Sequence, residues 1–428
     1  MHYSSKMVTI LTVKLPTKQG RINGQASFQQ SFSNRSQFAM AFRKSLFPAR
    51  HAVSRRSFVT AAASFLLAGP TTSPGGQREQ EASKPPAGER PLLVVATDLY
   101  RPHDDPDDHW DLATAYALAQ QNLVELLAVL IDHPRPDSLK DPDIEAVAQL
   151  NYLTGLLVPV LVGSGRPFKE WRENPSDSRA LWGVQALLEL MRNAPRPVVI
   201  SVAGTCRNIA MAAHLDGETF RKKCAGVYVN AGTSRPLAEN APLEWNVTLD
   251  LEAYQAMFAL PCPVYWMPCF EDVRRFEVSE YATYYRFRQG EVLPELSAGL
   301  RNFFAHIFRR ELSGQHASLG WLQALLAPED PELVARMNTM DRNMWCTAGF
   351  LHAAGLSVDG EGQLHPLQEA AHPVFKFEKI RVIDCQTGHI RWGTDEAAAD
   401  RYIFRVLDKE RYGYAMTQAL KRLLRTIP

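Results

Sequence analysis

The most chemically suggestive stretch of the sequence is HDDPDDHWD, an acidic segment at residues 103–111. It carries five carboxylates, and Asp98 stands just upstream at the end of the apolar run PLLVVATD. Carboxylates this close together repel one another, so the segment either lies open to water or surrounds a positive charge. Because the chain as a whole is nearly neutral, at +1, this negative charge is a local feature.

Three of these acids could support metal-assisted chemistry. Calcium takes about six to eight oxygen ligands, and Asp98 and Asp108 could supply some of them, with backbone carbonyls and water completing the set. A bound cation acidifies water, and a neighbouring carboxylate such as Asp107 could accept the proton. Two other interpretations are open: Asp107 and Asp108 could simply cap a helix that begins near Trp110, or the segment could bind calcium for structure alone. The other acids could belong to a solvated loop.

The surrounding sequence predicts the elements that position these acids. From Pro91 onward, apolar runs such as LLVVATD, VELLAVLI, PVVISVAG and AGVYVNAG alternate with stretches of helical period. Unbroken runs of this kind are typical of a parallel sheet covered on both faces. We predict one doubly wound α/β domain over residues 91–428, with a mostly parallel sheet flanked by helices. A hairpin over residues 377–392 and a final amphipathic helix, ERYGYAMTQALKRLL, are expected near its end.

In doubly wound sheets, ligands bind beyond the carboxyl ends of the strands. Asp98 ends the first predicted strand, and Asp132, Ala203 and Asn230 end three others. The acidic segment is therefore expected at the functional edge of the sheet.

Composition narrows the class of partner. The chain has 428 residues, 47 of them basic and 46 acidic, which is no electrostatic footprint for nucleic acid. No apolar run reaches the roughly 18 residues that span a bilayer. A small molecule is the expected partner, and a homo-oligomer is possible.

The first ninety residues differ from the rest. SRRSFVTAAASFLLAG, at residues 54–69, has the pattern of a twin-arginine export signal, so residues 1–69 are interpreted as signal and leader. The alternative is a short buried helix after two arginines. Residues 70–90 are rich in Pro, Gly and Ser and predict a disordered linker. We therefore expect a periplasmic or extracellular protein, in which Cys262 and Cys269 could form a disulfide. The six cysteines show no CxxC spacing, so zinc is poorly supported.

Taken in order, the segments resemble the nucleoside hydrolase family, calcium enzymes that cleave the N-glycosidic bond of ribonucleosides. The matching stretches are VVATD, DPDDHWDLATAYALA, VELLAVLI, VPVLVGSGRPF, VAGTCRNIAMAA, VYVNAG and ENAPLEWNVTLDLEAY. Together they cover nearly all of residues 91–425, and the ordered series is more specific than any single motif.

The resemblance implies a role for individual residues. Asp98 and Asp108 would bind Ca²⁺, the carbonyl of Ala203 would be a backbone ligand, and Asp107 would be the general base. The residues implied to bind the sugar are Asn230, Asn240, Glu244 and Asn246.

The sequence also departs from the family pattern. The loop between Asp98 and Asp107 is longer than in typical members, and Asp132 stands where the family has an Asn, which makes it a candidate substrate contact. In DRNMWCTAGF, Met344 falls where the metal-binding Asp is expected and Asn343 where the His that assists the leaving base is expected. Asp341 is the candidate replacement for the lost metal ligand, and Asp104 or Asp105 of the longer loop could supply it instead.

Two functions remain open at this stage. The first is an exported hydrolase of nucleosides or a related glycoside, which uses a calcium-activated water. The second is a non-catalytic ribosyl- or carbohydrate-binding protein that keeps the same fold. Asp111 is expected to be an ordinary acid one turn into a helix, favoured there by the helix dipole.

Overall fold

The computed structural model describes residues 89–100, 106–132, 142–175, 181–236, 238, 240–272, 276–313 and 320–428. The predicted export signal, its leader and nearly all of the predicted linker lie outside the described residues. His103, Asp104 and Asp105 of the acidic segment also lie outside them. Among the described residues, no helix is both long and apolar enough to cross a membrane.

Thirteen strands occur within the described residues. They are β1 (Leu92–Thr97), β2 (Glu125–Ile131), β3 (Val160–Val162), β4 (Val198–Val202), β5 (Cys224–Asn230), β6 (Val264–Met267), β7 (Tyr285–Arg288), β8 (Asp341–Met344), β9 (Leu356–Val358), β10 (Leu364–Pro366), β11 (Phe375–Asp384), β12 (Arg391–Thr394) and β13 (Arg401–Val406).

The same residues contain thirteen α-helices and two short 3₁₀ helices, the latter at Gln289–Glu291 and Leu293–Glu295. The α-helices are α1 (Pro106–Gln120), α2 (Pro142–Thr154), α3 (Phe168–Glu173), α4 (Trp182–Asn193), α5 (Arg207–Leu215), α6 (Gly217–Lys223), α7 (Trp245–Leu249), α8 (Leu251–Met257), α9 (Ala298–Ser313), α10 (Trp321–Leu326), α11 (Pro331–Asn338), α12 (Thr347–Ala353) and α13 (Lys409–Leu424).

Nine of these strands form one sheet in the order β12-β11-β13-β6-β5-β4-β1-β2-β3. The strands from β13 to β3 in that order are parallel, whereas β11 pairs antiparallel with both β13 and β12. The chain runs outward from β1 to β2 and β3, and then returns to place β4 on the other side of β1. This reversal puts a crevice between the carboxyl ends of β1 and β4. The predicted doubly wound, mostly parallel fold is confirmed.

The sheet separates two apolar cores. Along β1, Leu93 and Val95 belong to the core shared with α1, α9 and α13, while Leu92, Val94 and Ala96 belong to the core shared with α4 and α5. Successive side chains of a strand point to opposite faces, so a central strand needs apolar residues at every position. This is the physical reason that the strands read as unbroken apolar runs.

Helix α1 is buried on nearly all sides. Its buried residues include His109 and Trp110 of the acidic segment. The Trp110 ring stacks on Phe304 with ring centroids 3.9 Å apart, and His109 packs edge-on against Tyr100 at 4.5 Å. A helix that is buried all round shows no single polar face. The packing therefore carries the acids at the start of α1 into the interior.

The C-terminal elements agree with the sequence prediction. Strands β11 and β12 form the expected antiparallel hairpin, whose turn contains Gly388 at φ +86°. Gly388 is suited to this conformation because it has no Cβ. The last helix, α13, buries its apolar side against the core. All six cysteines are free thiols, and Cys262 and Cys269 do not form the disulfide allowed by the sequence.

A buried ion pair joins the helices on the α5 face of the sheet. Arg207 Nε lies 2.8 Å from Asp250 Oδ2, and these side chains are 1% and 3% exposed. Arg207 also donates to the carbonyls of Ser164, Gly165 and Leu249. The pair thus connects α5 to the start of α8 and to the turn after β3.

Replacing Asp250 with Asn should destabilise the fold by about 3 kcal/mol, because it leaves the buried guanidinium without its counter-charge. Urea denaturation of the two proteins measures this difference. Glu252→Gln is the matched control, since Glu252 pairs with Arg172 at 2.8 Å but both side chains are substantially exposed. If the two variants lose equal stability, the Arg207 pair does not have the predicted importance.

Candidate active site

The crevice between β1 and β4 brings Asp98 close to Ala203 and Gly204. The parallel register places Ala96 opposite Val202, and Ala203 N–H donates to the Ala96 carbonyl at 2.9 Å. Asp98 follows β1 directly and is 3% exposed. A Cβ on Gly204 would lie 2.5 Å from Asp98 Oδ1, so only glycine leaves room for this carboxylate.

The first turn of α1 brings Asp107 and Asp108 to the same edge. Thr97 at the end of β1 donates its hydroxyl to Asp108 Oδ2 at 2.7 Å, and Asp98 donates a backbone N–H to the same carboxyl. Burial, and then the charge of Asp107, raise the pKa of the Asp108 carboxyl well above its usual range. The two hydrogen bonds oppose that shift.

Asp111, one turn later in α1, meets the start of α12. Its Oδ2 accepts the backbone N–H of Cys346 at 3.2 Å, and its Oδ1 accepts the Thr347 hydroxyl at 3.1 Å. Burial, and then the charge of Asp107, raise the pKa of Asp111 to about 8. The expectation of an ordinary dipole-favoured acid was wrong, because tertiary packing places this carboxylate in the interior.

An amide and a carboxylate side chain at the start of α7 contact the neighbouring strand ends. Asn246 Nδ2 donates to the carbonyls of Ala203 at 2.9 Å and Asn230 at 3.1 Å. Glu244 accepts the backbone N–H groups of Asn246 at 3.0 Å and Gly232 at 2.9 Å. These contacts hold the start of α7 against the ends of β4 and β5.

These residues surround one cavity of about 340 Å³. That volume lies within the usual range for small-molecule sites. The lining residues are Asp107, Asp108, Ala203, Asn230, Glu244, Trp245, Asn246, Cys269, Phe270, Phe276 and Trp345.

One side of the cavity is aromatic. Trp345 donates its indole N–H to the Cys269 carbonyl at 3.1 Å, and its ring lies 6.0 Å from that of Phe270 and 6.3 Å from that of Phe276. Trp245 and Phe276 are 40% and 53% exposed where they line the cavity. The cavity thus combines acidic and amide side chains with a cluster of aromatic rings.

Four residues predicted for the site are not among those that line this cavity, and one of them, Asp98, lies beside Gly204 at the end of β1. Asn240 is exposed in a turn. Asp132 is buried at the end of β2, where its Oδ1 accepts Asn208 Nδ2 at 2.6 Å, and its Oδ2 faces Gly204 near Asp98. Asp341 is 41% exposed at the far end of β8 and pairs with Arg288 at 2.9 Å. The structure therefore does not bring Asp341 to the acids of α1.

The segment that departs from the family pattern is fully ordered into β8 and the start of α12. Met344 pairs with Tyr285 of β7 and is completely buried. Asn343 Oδ1 accepts the Tyr284 hydroxyl at 2.9 Å. Both residues are occupied by packing within this small sheet, and neither lines the cavity.

Sequence reasoning missed several cavity residues and Asp111. Trp245 begins α7, Phe270 and Phe276 follow β6, and Trp345 lies between β8 and α12, so no local pattern groups these aromatic residues. A signal for Asp111 was available, because residues three and four apart share a helix face and Asp107, Asp108 and Asp111 have that spacing.

The donor set fits a divalent cation. One ligand atom from each of Asp108, Asp111 and Cys346 lies within 4.8 Å of the others, which is the only such grouping found among the described residues. Asp98 and the Ala203 carbonyl lie at the adjoining strand ends. Hard carboxylate and carbonyl oxygens predominate, as divalent cations such as calcium prefer. Because Gly204 has no side chain, the Asp98 carboxylate fits between the ends of β1 and β4.

Gly204→Ala should destabilise the protein by about 1–3 kcal/mol, because the new methyl group must displace the Asp98 carboxylate or the backbone. Chemical denaturation checks this value. Gly217→Ala is the matched control, since a Cβ there meets nothing within 4 Å. Equal stability of the two variants would show that the Gly204 crevice tolerates a side chain.

Comparisons with known proteins give similarity in solved structures alone. No protein-family model matches the chain, and no curated protein matches it. It is similar to the effector protein XOO4466, with 15% identity over 78% of this chain and 94% of that one, at a TM-score of 0.46. It is similar to the type III effector XopQ complexed with adenosine diphosphate ribose, with 14% identity over 78% and 95% of the chains, at 0.45.

An inosine-guanosine nucleoside hydrolase is similar at 14% identity over 78% and 99% of the chains, with a TM-score of 0.45. Identities this low concern the fold and not the chemistry of the site. The chain is thus similar to solved nucleoside hydrolases and to these effectors, and nucleoside hydrolases are also the proteins that its sequence motifs resemble.

Proposed function

We propose that this protein is a calcium-dependent hydrolase that cleaves the glycosidic bond of a nucleoside or a related glycoside. The observation that carries the proposal is the single cavity in which Asp107 and Asp108 face Asn246 and Glu244. Carboxylates on one side and fixed polar groups on the other are what hydrolysis at a sugar carbon requires.

The metal would be held by Asp98, Asp108 and the Ala203 carbonyl. A bound calcium ion supplies an acidified and oriented water. Asp107 lies in the same helical turn as Asp108 and lines the cavity, so it is placed to accept the proton from that water.

The amide and the carboxylate at the start of α7 are suited to sugar hydroxyls. Asn246 uses both Nδ2 protons on the carbonyls of Ala203 and Asn230, which leaves its Oδ1 as an acceptor for a hydroxyl. Glu244 is 5% exposed and anchored by backbone N–H groups, so its carboxylate is rigid. Rigid hydrogen-bonding groups stabilise a distorted, oxocarbenium-like sugar better than mobile ones.

The cluster of aromatic rings suits a flat leaving group. Rings of Phe270, Phe276 and Trp345 offer faces and edges on which a planar base could stack. Asn343 stands where the resemblance places the assisting His, but it does not line the cavity and its Oδ1 accepts the Tyr284 hydroxyl. We therefore expect the highest activity with a leaving group that needs no protonation.

Export to the periplasm or extracellular space is part of the proposal and rests on the arginine pair in SRRSFV. Changing Arg55 and Arg56 to Lys should retain the protein in the cytoplasm of a twin-arginine-competent host, as followed by cell fractionation. Unchanged delivery would remove this part of the proposal without affecting the enzymatic part.

A second candidate function is ribosyl binding without catalysis. It is favoured by Met344 and Asn343, which are packed in β8 and supply neither an acid nor a proton donor to the cavity. It predicts nucleoside affinity with no turnover.

One experiment separates the two candidates. Ribose release is measured for the common ribonucleosides and for p-nitrophenyl riboside, whose leaving group needs no proton, with calcium and with a chelator. Calcium-dependent release from any substrate supports the hydrolase. Calorimetric binding of a nucleoside without release from any substrate supports the binding protein. Neither binding nor release would overturn both.

A further inference from the structure

Helix α1 directs two buried carboxylates toward the same point. Asp108 and Asp111 are three residues apart on one helix face, and they are 4% and 1% exposed. Two carboxylates held this close in an apolar interior repel each other unless a proton or a cation lies between them. A cation bound between Asp108 and Asp111 would relieve this repulsion.

The orientation of Asp111 is determined by the start of α12. Cys346 N–H donates to Oδ2, Thr347 donates to Oδ1, and the Tyr285 hydroxyl lies 2.9 Å from the Thr347 hydroxyl. Each carboxylate oxygen has further lone pairs for a cation. The side chain is therefore held in one position while both oxygens can still act as ligands.

The spacing of the group matches a shared ion. Ligand atoms of Asp108, Asp111 and Cys346 all lie within 4.8 Å of one another. Two oxygens that each lie about 2.3–2.6 Å from a calcium ion are separated by no more than about 5 Å. Beside this group, the absence of a side chain at Gly204 leaves room for the Asp98 carboxylate.

The sequence offers three other acids for this role. Asp104 and Asp105 lie outside the described residues, and Asp341 is exposed at the first residue of β8, where it pairs with Arg288 at 2.9 Å. Met344, at the other end of β8, is buried and has no oxygen in its side chain.

We propose that Asp111 is the third acidic ligand of the metal site, in the role that Met344 has lost. This inference rests on the proposed metal-dependent function. The third ligand is still a carboxylate, but it comes from the second turn of α1 and not from the strand–helix segment at residues 344–347. The start of α12 then serves to orient the ligand and does not supply a carboxylate.

Calcium binding to the full chain, measured by isothermal titration calorimetry, tests the proposal. Asp111→Asn should weaken calcium binding by about 100-fold or more, because a charged ligand is lost. Asp341→Asn is the matched acidic control and should leave the affinity unchanged. Thr347→Val removes a hydrogen bond to Asp111 but no ligand. It should therefore lower the melting temperature and change the calcium affinity little.

The possible results are distinguishable. Equal calcium affinity in wild type and Asp111→Asn overturns the proposal and leaves the metal-dependent function standing. No calcium binding by the wild type overturns both. If Asp111→Asn does not fold, a wild-type crystal soaked in calcium decides: an Asp111 oxygen within about 2.6 Å of the ion supports the assignment, and a greater distance rejects it.

Discussion

Asp107→Asn should lower the rate of glycoside hydrolysis by about 10²–10⁴-fold, the usual contribution of a positioned general base. Asn has nearly the same shape but cannot accept the proton from the attacking water. Asp107 lines the cavity beside Asp108, where the attacking water would be activated. The loss should therefore fall on kcat, with KM nearly unchanged, in steady-state kinetics on the best substrate found.

The control for this variant is its structure and metal affinity. The variant should still fold and bind calcium, since Asp107 is assigned to the proton and not to the ion, and the loss of its charge should lower the pKa of Asp108 and Asp111. Asp341→Asn should retain full activity, because Asp341 lies in an exposed pair with Arg288. A small rate effect for Asp107→Asn, within about threefold, would assign the base to another group.

The stability of the metal-free protein should fall as the pH rises, owing to Asp111. Its pKa is raised from 3.8 to about 8 in the folded state, first by burial and then by Asp107. The folded protein therefore binds a proton that the unfolded chain releases. The stabilisation is fully present below about pH 4 and is lost as the pH rises through about 8, with a slope of roughly 1 kcal/mol per pH unit between them.

This trend is best measured as a difference between wild type and Asp111→Asn, by urea denaturation in chelator from about pH 5 to 8. Subtraction removes most of the contribution of the remaining carboxylates, such as Asp216, whose pKa is lowered to about 2 by hydrogen bonds from Thr219 and Arg192. Wild type should lose stability relative to the variant as the pH increases. A constant difference across this range would mean that Asp111 is ionised without a metal.

Much of the architecture follows directly from the sequence. Strand runs such as LLVVAT and VVISV have apolar residues at every position because both faces of a central parallel strand are covered. The same argument placed Asp98 and Ala203 at the carboxyl ends of neighbouring strands. Hydrophobic burial depends on residue type and period, which are local properties that a sequence displays.

Four residues of the site could also be identified from the sequence. Asp107 and Asp108 were identifiable because they follow a strand-end Asp within one short segment, and Glu244 and Asn246 because they share one motif. All four line the cavity. The roles assigned to them are still predictions, to be decided by the variants described above.

Only the tertiary structure could decide the partners that come from distant parts of the chain. Asp111 meets Cys346 across 235 residues, and this contact exists because α1 and α12 pack at the same edge of the sheet. Asp341 is close to Met344 in the sequence, but it lies at the opposite end of β8, where it pairs with Arg288 at the surface. Residue types and their local spacing thus determined the fold and the first acids of the site, whereas long-range packing decided which other side chains reach them.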